Sequence, residues 1–330
     1  MIVTAFSAEI KRRKAMTCVR CQHQTCKRFG YFGKRRVQRW RCNSCRGTFC
    51  EPAPKIGTHY TAPDTAAKVL TLMLEGMSVR AISRVTGLHK NTILSLLETA
   101  GANCHRLWDR HMRGLRTQFV QADEIWTFCG CHERRLKPGA PAEWGDQYVW
   151  FALDSVTKMV LSYHIGRREG AGAQAFIKDL SERVDGRFQL TTDGLRWYVP
   201  AVDEHLGGNC DYSQLIKLYS SHDITGPEWY GAASRVTGTI PRIHNGRPDP
   251  RYISTSHIER SNLTLRMQLR RFTRLTNAHS RKLENLQHAV TLYMAWYNFC
   301  RVHATLRVTP AMEAGLTDHV WMIAELLGAN

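Results

Sequence analysis

The chain has 330 residues, 43% of them apolar and 22% charged. That suits a globular protein of two or three domains with one sizeable core, and excludes a low-complexity or disordered chain. Lys and Arg number 46 against 28 Asp and Glu, a formal net charge of +18, so a polyanionic partner is expected, with nucleic acid ahead of a membrane surface. No apolar run approaches the ~20 residues that cross a bilayer, and no basic amphipathic helix with a bulky apolar face is visible. The opening "MIVTAFSAEIKRRK" carries its charges after its apolar residues, the reverse of a secretory signal, so a cytoplasmic protein is expected.

Residues 1–60 contain 14 Lys and Arg against Glu9 and Glu51, and six of the eleven cysteines. An odd cysteine count in a reducing compartment favours metal over disulfides. Cys18-x2-Cys21 and Cys42-x2-Cys45 are separated by 20 residues, a spacing that closes four thiolates around one structural Zn²⁺. Cys26, Cys50 and His23 stand by as substitutes for one ligand. Between the knuckles, "KRFGYFGKRRVQRWR" interleaves aromatics with cations, including Lys34, Arg35 and Arg36, as strands that track a phosphate backbone would. A ribbon that is purely structural or binds protein is the alternative. The zinc ribbon is placed at 1–55, and the proline-containing stretch "EPAPKIGTHYTAP" supplies a linker at 56–63.

Residues 64–113 read as helical, within a domain placed at 64–116. In "GMSVRAISRVTGLHKNTILSLLETA", Val79, Ile82, Val85, Leu88, Ile93 and Leu97 fit one buried side, and Gly87 supplies the turn of a helix-turn-helix. His89, Lys90, Asn91 and Thr92 begin the second helix with side chains that reach phosphates and base edges. An ordinary helical hairpin is the bland alternative.

From Phe119 the pattern changes. "FVQADEIWTFCG", "QYVWFALDSVTKMVLSYHI" and "FQLTTDG" read as strands, and "GAQAFIKDLSERV" as a helix, giving an α/β mixed sheet with helices on its faces. Residues 220–255 look like an irregular excursion, and two long helices are expected over about 256–275 and 280–302. Cys129, Cys131 and His132 read as a strand end and turn rather than a second metal site. Trp126, Trp150, Trp296 and Tyr297 read as packing residues.

Three carboxylates stand out by context. Asp123 lies inside one core strand, Asp193 ends another, and Glu259 opens "HIERSNLTLRMQLRRFTR", a stretch otherwise charged only by arginine. Buried strand carboxylates are costly unless paired or bound to metal. Three converging acids would hold two Mg²⁺ or Mn²⁺ ions, the arrangement used for in-line attack on phosphodiesters. Such ions would also cancel the repulsion between Glu259 and a DNA phosphate. Arg260, Arg266, Arg270 and Arg271 would then hold DNA, with Arg266 and Arg270 on the same helix face as Glu259. His257 and Asn262 flank the site. A solvated helix face is the alternative for the arginines.

With these residues in view, the chain resembles the DDE transposases of the insertion-sequence-one family. The likeness follows the order of zinc ribbon, helix-turn-helix and ribonuclease-H-like catalytic domain. It rests on Asp123 in "ADEIWTF", Asp193 in "TTDGLRWY", Glu259 in its helix motif, and Arg266 seven residues after the glutamate. "YNFCRVHATLRVTPAMEAGL" (297–316) resembles the tail of many such enzymes. The resemblance implies a catalytic domain at 117–304, a tail at 305–330, transposon-end and target double-stranded DNA as partners, a homodimer or larger assembly on DNA, no membrane partner, and a place at the nucleoid of a bacterial or archaeal cell. The 65 residues between Asp193 and Glu259 exceed the interval of the founding members, implying an insertion at about 208–255. A non-catalytic DNA-binding regulator and a nuclease that cuts without joining are the competing readings.

Overall fold

The computed structural model describes residues 16–33, 36–50, 61–219, 236–274 and 277–328. Lys34, Arg35, most of the linker and the middle of the expected insertion lie outside these. The chain divides into two compact units, Met1–Pro54 and Lys55–Asn330.

The first unit is a three-stranded antiparallel sheet of β1 (Cys26–Phe32), β2 (Val37–Cys42) and β3 (Thr48–Cys50), in that order. Its core is Cys18, Cys42 and Phe49, with Met16, Cys26 and Trp40 packed beside it. The few apolar side chains among the described residues do not offset the conformational entropy of ordering them, and a further source of folding free energy is required.

In the second unit, α1 (Pro63–Leu74), α2 (Val79–Thr86) and α3 (Lys90–His111) come first. Ser78 caps α2 by accepting from the Ala81 N–H, and Gly87 ends it in the left-handed region, at φ 71°. Ile82, Ile93 and Leu97 are buried as expected, and Val79 and Leu88 are half-buried. Val85 is a correction: it is 58% exposed, because α2 turns only one narrow face to α1 and α3. These helices share one continuous core with the sheet that follows.

That sheet contains β4 (Phe119–Cys129), β5 (Gly145–Asp154), β6 (Val160–Gly166), β7 (Phe188–Thr192), β8 (Cys210–Tyr219) and β9 (Val236–Asn245). Their spatial order is β6-β5-β4-β7-β8-β9. β4–β7 and β7–β8 are parallel and the other pairs antiparallel, giving the mixed sheet expected of a ribonuclease-H-like unit. Register pairs Trp150 with His164 and Phe151 with Tyr163, so neighbouring residues serve opposite faces. Trp150 packs on Phe176 of α4 (Gly170–Arg183) and Tyr198 of α5 (Tyr198–His205). On the other face, Tyr163 meets Trp108 of α3 and hydrogen-bonds Thr291 of α7 (Leu283–Phe299).

Three expectations need correction. Residues 236–245 form strand β9 rather than an irregular excursion. Its β-branched residues favour extension, and Pro241 is tolerated because β9 is an edge strand. The helix expected over 256–275 is α6 (Ser256–Gln268), followed by a 3-10 turn at Arg270–Phe272. The helix stops where the chain bends to bury Leu269 and Phe272, so Arg270 and Arg271 leave the α6 face that carries Glu259. The last helix likewise spans 283–299 rather than 280–302. The tail adds the short helices α8 (Pro310–Glu313) and α9 (Ile323–Leu326). It closes on α3 through the Asn103 amide, which donates to the Leu327 carbonyl at 2.7 Å.

Candidate active site and thiolate centre

β4 carries Asp123 in its middle, and its pairing with β7 runs only to Ala122–Thr192. One step further along both strands, Asp123 and Asp193 stand side by side. Because β7 ends there, the edge of β4 is open at the next two positions, and side chains from both faces reach the gap. Asp123, Glu124 and Asp193 thus place carboxylate oxygens within 4.8 Å of one another.

Glu124 is the member that sequence reasoning does not single out, since strand alternation aims it away from Asp123. Its side chain is 2% exposed, against Arg168 at 2.6 Å. Tyr198 also donates its hydroxyl to it at 3.1 Å. Arg168 extends to within 3.7 Å of Asp193. Burial, then the charges of Asp193 and Asp123, push the Glu124 carboxyl up to about 8. Burial and the Asp193 charge push Asp123 up to about 7, against the Glu124 N–H it accepts. Acids held this far above their ordinary range are groups that a cation would relieve.

α6 brings the remaining expected residues. The buried Gln121, two residues before Asp123, accepts from the N–H groups of His257 at 2.9 Å and Ile258 at 3.1 Å. This fixes the start of the helix on β4. One turn on, Asn262 donates to Asp123 at 2.8 Å, while its own carbonyl oxygen is buried without a partner among the described residues. Glu259 raises the Asp123 pKa through its charge but lies outside the tightest carboxylate group, because Lys217 of β8 and Thr255 both bind its Oε1. Gln214, also on β8, donates to the carbonyls of Asp193 and Leu195 and fixes the loop that carries Asp193.

The arginines separate. Arg266 is half-buried; burial and the neighbouring Arg274 lower its guanidinium, and Asp123 opposes them. Arg260 and Arg270 are exposed. Arg271, in the 3-10 turn, is pushed down to about 10 by burial and has no ion pair among the described residues. His257 is exposed, 3.2 Å from the Lys158 ammonium. His89, Lys90 and Asn91 are exposed and Thr92 half-buried, with His89 Nδ1 accepting from the Asn91 N–H. Arg36 lies over the Tyr31 ring.

Cys18, Cys21, Cys42 and Cys45 gather their sulfurs within 4.8 Å. The two knuckles repeat one geometry. The Arg20 N–H donates to Cys18 at 3.4 Å, and the Ser44 N–H to Cys42 at 3.3 Å. The residue after each second cysteine, Gln22 or Arg46, has positive φ. The Cys21 N–H, opposed by burial and aided by the Arg20 N–H, brings the Cys18 thiol down to about 6. Four convergent sulfurs with N–H groups aimed at them fit a tetrahedral soft-metal site. His23 instead bonds Thr25. Among the described residues, Cys129, Cys131 and His132 join no group of three metal ligands; His132 stacks on Phe128 and Trp126.

No protein family and no curated protein matches the sequence. Among solved structures, the chain is similar to the piggyBac transposase synaptic complex with hairpin DNA, at TM-score 0.41 and 10% identity over 87% of this chain and 72% of that one. It is also similar to the Mos1 transposase paired-end complex with left transposon end, at TM-score 0.20 and 15% identity over 47% and 60% of the two chains. The Mos1 strand transfer complex gives 0.19 and 16% over 47% and 59%. With TM-scores below 0.5, these likenesses assign the chain to no family.

Proposed function

We propose that this chain is a DNA transposase that cleaves and joins DNA strands at an Asp123–Asp193–Glu259 site. The observation that carries the reading is the meeting of Asp123 and Asp193 on adjacent parallel strands beneath the helix that bears Glu259, in a chain of net charge +18. Asp123, Asp193 and Glu259 would hold two Mg²⁺ or Mn²⁺ ions. The donors are hard oxygens, and the unpartnered Asn262 carbonyl beside them fits a hydrated cation. When bound there, such ions supply Lewis acidity to the attacking and leaving oxygens of a phosphodiester.

The chain's own groups do the rest. Gln121 and Asn262 hold α6 and Asp123 in register, and Gln214 holds the Asp193 loop. Arg266 and Arg260 bind the strand being cut. A water first opens the phosphodiester at the element's end and leaves a 3′-hydroxyl. That hydroxyl then attacks a target phosphodiester, releasing a new 3′-hydroxyl from the target, so one bond forms for each that breaks.

The amino-terminal unit is assigned as a zinc ribbon and 64–116 as a helix-turn-helix presenting His89, Lys90, Asn91 and Thr92 to DNA. The catalytic domain runs over 117–304, with the expected insertion at about 208–255 contributing strands β8 and β9 to its sheet, and the tail runs over 305–330. Lys34, Arg35 and Arg36 add to the ribbon's charge, and Arg270 and Arg271 extend the DNA path past α6. Two ends have to be joined, which calls for at least a dimer. Among the described residues no helix is long and apolar enough to cross a membrane. Product analysis with the element's own labelled ends, a plasmid target and Mg²⁺ tests the reading. Joined molecules are expected; cut ends alone would make the protein a nuclease, and binding without cutting a regulator.

A further inference from the structure

Four carboxylates meet at this end of the sheet with two cations in ion-pair contact, Arg168 and Lys217, and the pairing is uneven. Arg168 is taken by Glu124, with two of its nitrogens on one oxygen. Lys217 is taken by Glu259. Asp123 has no ion pair among the described residues, and Asp193 has only the 3.7 Å approach of Arg168. The two half-sites are therefore unlike. The Asp123–Asp193 side is open to a cation, whereas the Asp123–Glu259 side already contains one, an ammonium. Lys217 also acts on Asp123, holding its pKa down against the surrounding acids.

We propose that Lys217 takes the place of the second divalent ion in the DNA-free protein and gives it up to that ion when a DNA phosphate arrives. The inference rests on the transposase reading of the site. An ammonium and a divalent ion sharing the Glu259 carboxylate repel each other at close range, so each weakens the binding of the other. Lysine suits the exchange: it is a compact charge with three donors on a flexible four-carbon stem. Its side chain here is 25% exposed, enough to swing from the carboxylate to a phosphate oxygen without unfolding β8. Metal at the Asp123–Asp193 side binds first. The second position fills only when DNA draws Lys217 away, and the site completes itself on its substrate.

The test is Mn²⁺ binding to the full zinc-loaded chain, read by the electron paramagnetic resonance of free Mn²⁺, with and without a DNA duplex. The wild type is expected to bind one ion at the acids without DNA and a second once the duplex is added. Lys217→Met should take up both without DNA, the second at least about tenfold more tightly than in the wild type. Lys217→Arg, which keeps the charge, should behave as the wild type, and melting curves of both variants establish that they fold. Equal Mn²⁺ uptake by wild type and Lys217→Met, in a protein whose Asp123→Asn variant loses uptake, would overturn the role of Lys217 alone. Uptake unchanged by Asp123→Asn would overturn the metal site itself and this inference with it.

Discussion

The side-chain carbonyl of Gln121 accepts hydrogen bonds from the backbone N–H groups of both His257 and Ile258, at 2.9 and 3.1 Å. A strand residue thus satisfies the orphan donors at the start of the helix that carries Glu259, two positions from the Asp123 that Glu259 must face. Gln121→Ala should cost about 1–2 kcal/mol of stability, the scale of a lost cap with buried donors left unpaired. Strand cleavage should fall by a larger factor than the fraction unfolded explains. Denaturant titration and a cleavage assay on the same preparation check both; loss of activity only in proportion to unfolding would reduce Gln121 to a packing residue.

The raised acids give a pH signature in the absence of Mg²⁺. Asp123 moves from 3.8 to about 7 on folding. Below 3.8 it is protonated in both states. As pH rises toward 7 the unfolded chain ionises first, so folding stability declines and the loss is complete above about 7 to 8. Asp123→Asn should therefore melt above the wild type at pH 8 by about 2–4 °C or more, with the gap closing at pH 4. Added Mg²⁺ should raise the wild-type melting temperature more at pH 8 than at pH 5.5, since it replaces protons. Thermal melts of zinc-loaded protein measure both; a gap independent of pH would contradict the burial argument.

Removal of zinc should unfold the first unit and spare the second. Its core is Cys18, Cys42 and Phe49, whereas the sheet unit has a continuous core of its own. Chelation, or Cys21→Ser, should shift the Trp40 fluorescence to that of exposed indole and leave the main thermal transition in place. Retention of the native Trp40 signal after complete metal loss would contradict a metal-held fold.

Replacing His89, Lys90 and Asn91 together by alanine should weaken DNA binding and lower the slope of log affinity against log salt by about one for the lost lysine charge. These residues are exposed and begin α3, which His89 caps through the Asn91 N–H, so stability should fall only by the scale of one lost cap, about 0.5–2 kcal/mol. Filter binding over a salt series measures the slope. An unchanged affinity would leave the pair α2 and α3 as an ordinary helical hairpin.

The sequence displayed what local chemistry dictates. β-branched and aromatic runs marked β4 to β7, CxxC spacing marked the sulfur cluster, and acids in strands marked Asp123 and Asp193. What it hid depends on contacts far apart in the chain. Glu124 points into the site only because β7 stops at Thr192 and leaves the β4 edge open. Lys217 matters only because β8 lies two strands from β4, within reach of α6. Arginine periodicity suggested one long helix through Arg270, but burying Leu269 and Phe272 ended it at Gln268. Spacing along one element carries no trace of the tertiary burial that breaks it. β9 was missed for a related reason: Gly238 and Pro241 read as loop residues, and the sheet edge that admits them is not visible locally.

Strand cleavage and joining by the wild type and by Glu259→Gln, with labelled element ends, a plasmid target and Mg²⁺, tests whether Glu259 completes the site with Asp123 and Asp193. The substitution keeps the side chain's shape and removes its charge. Cut and joined products are expected from the wild type, none above background from Glu259→Gln, and equal end binding from both. Products from Glu259→Gln at the wild-type rate would contradict that role.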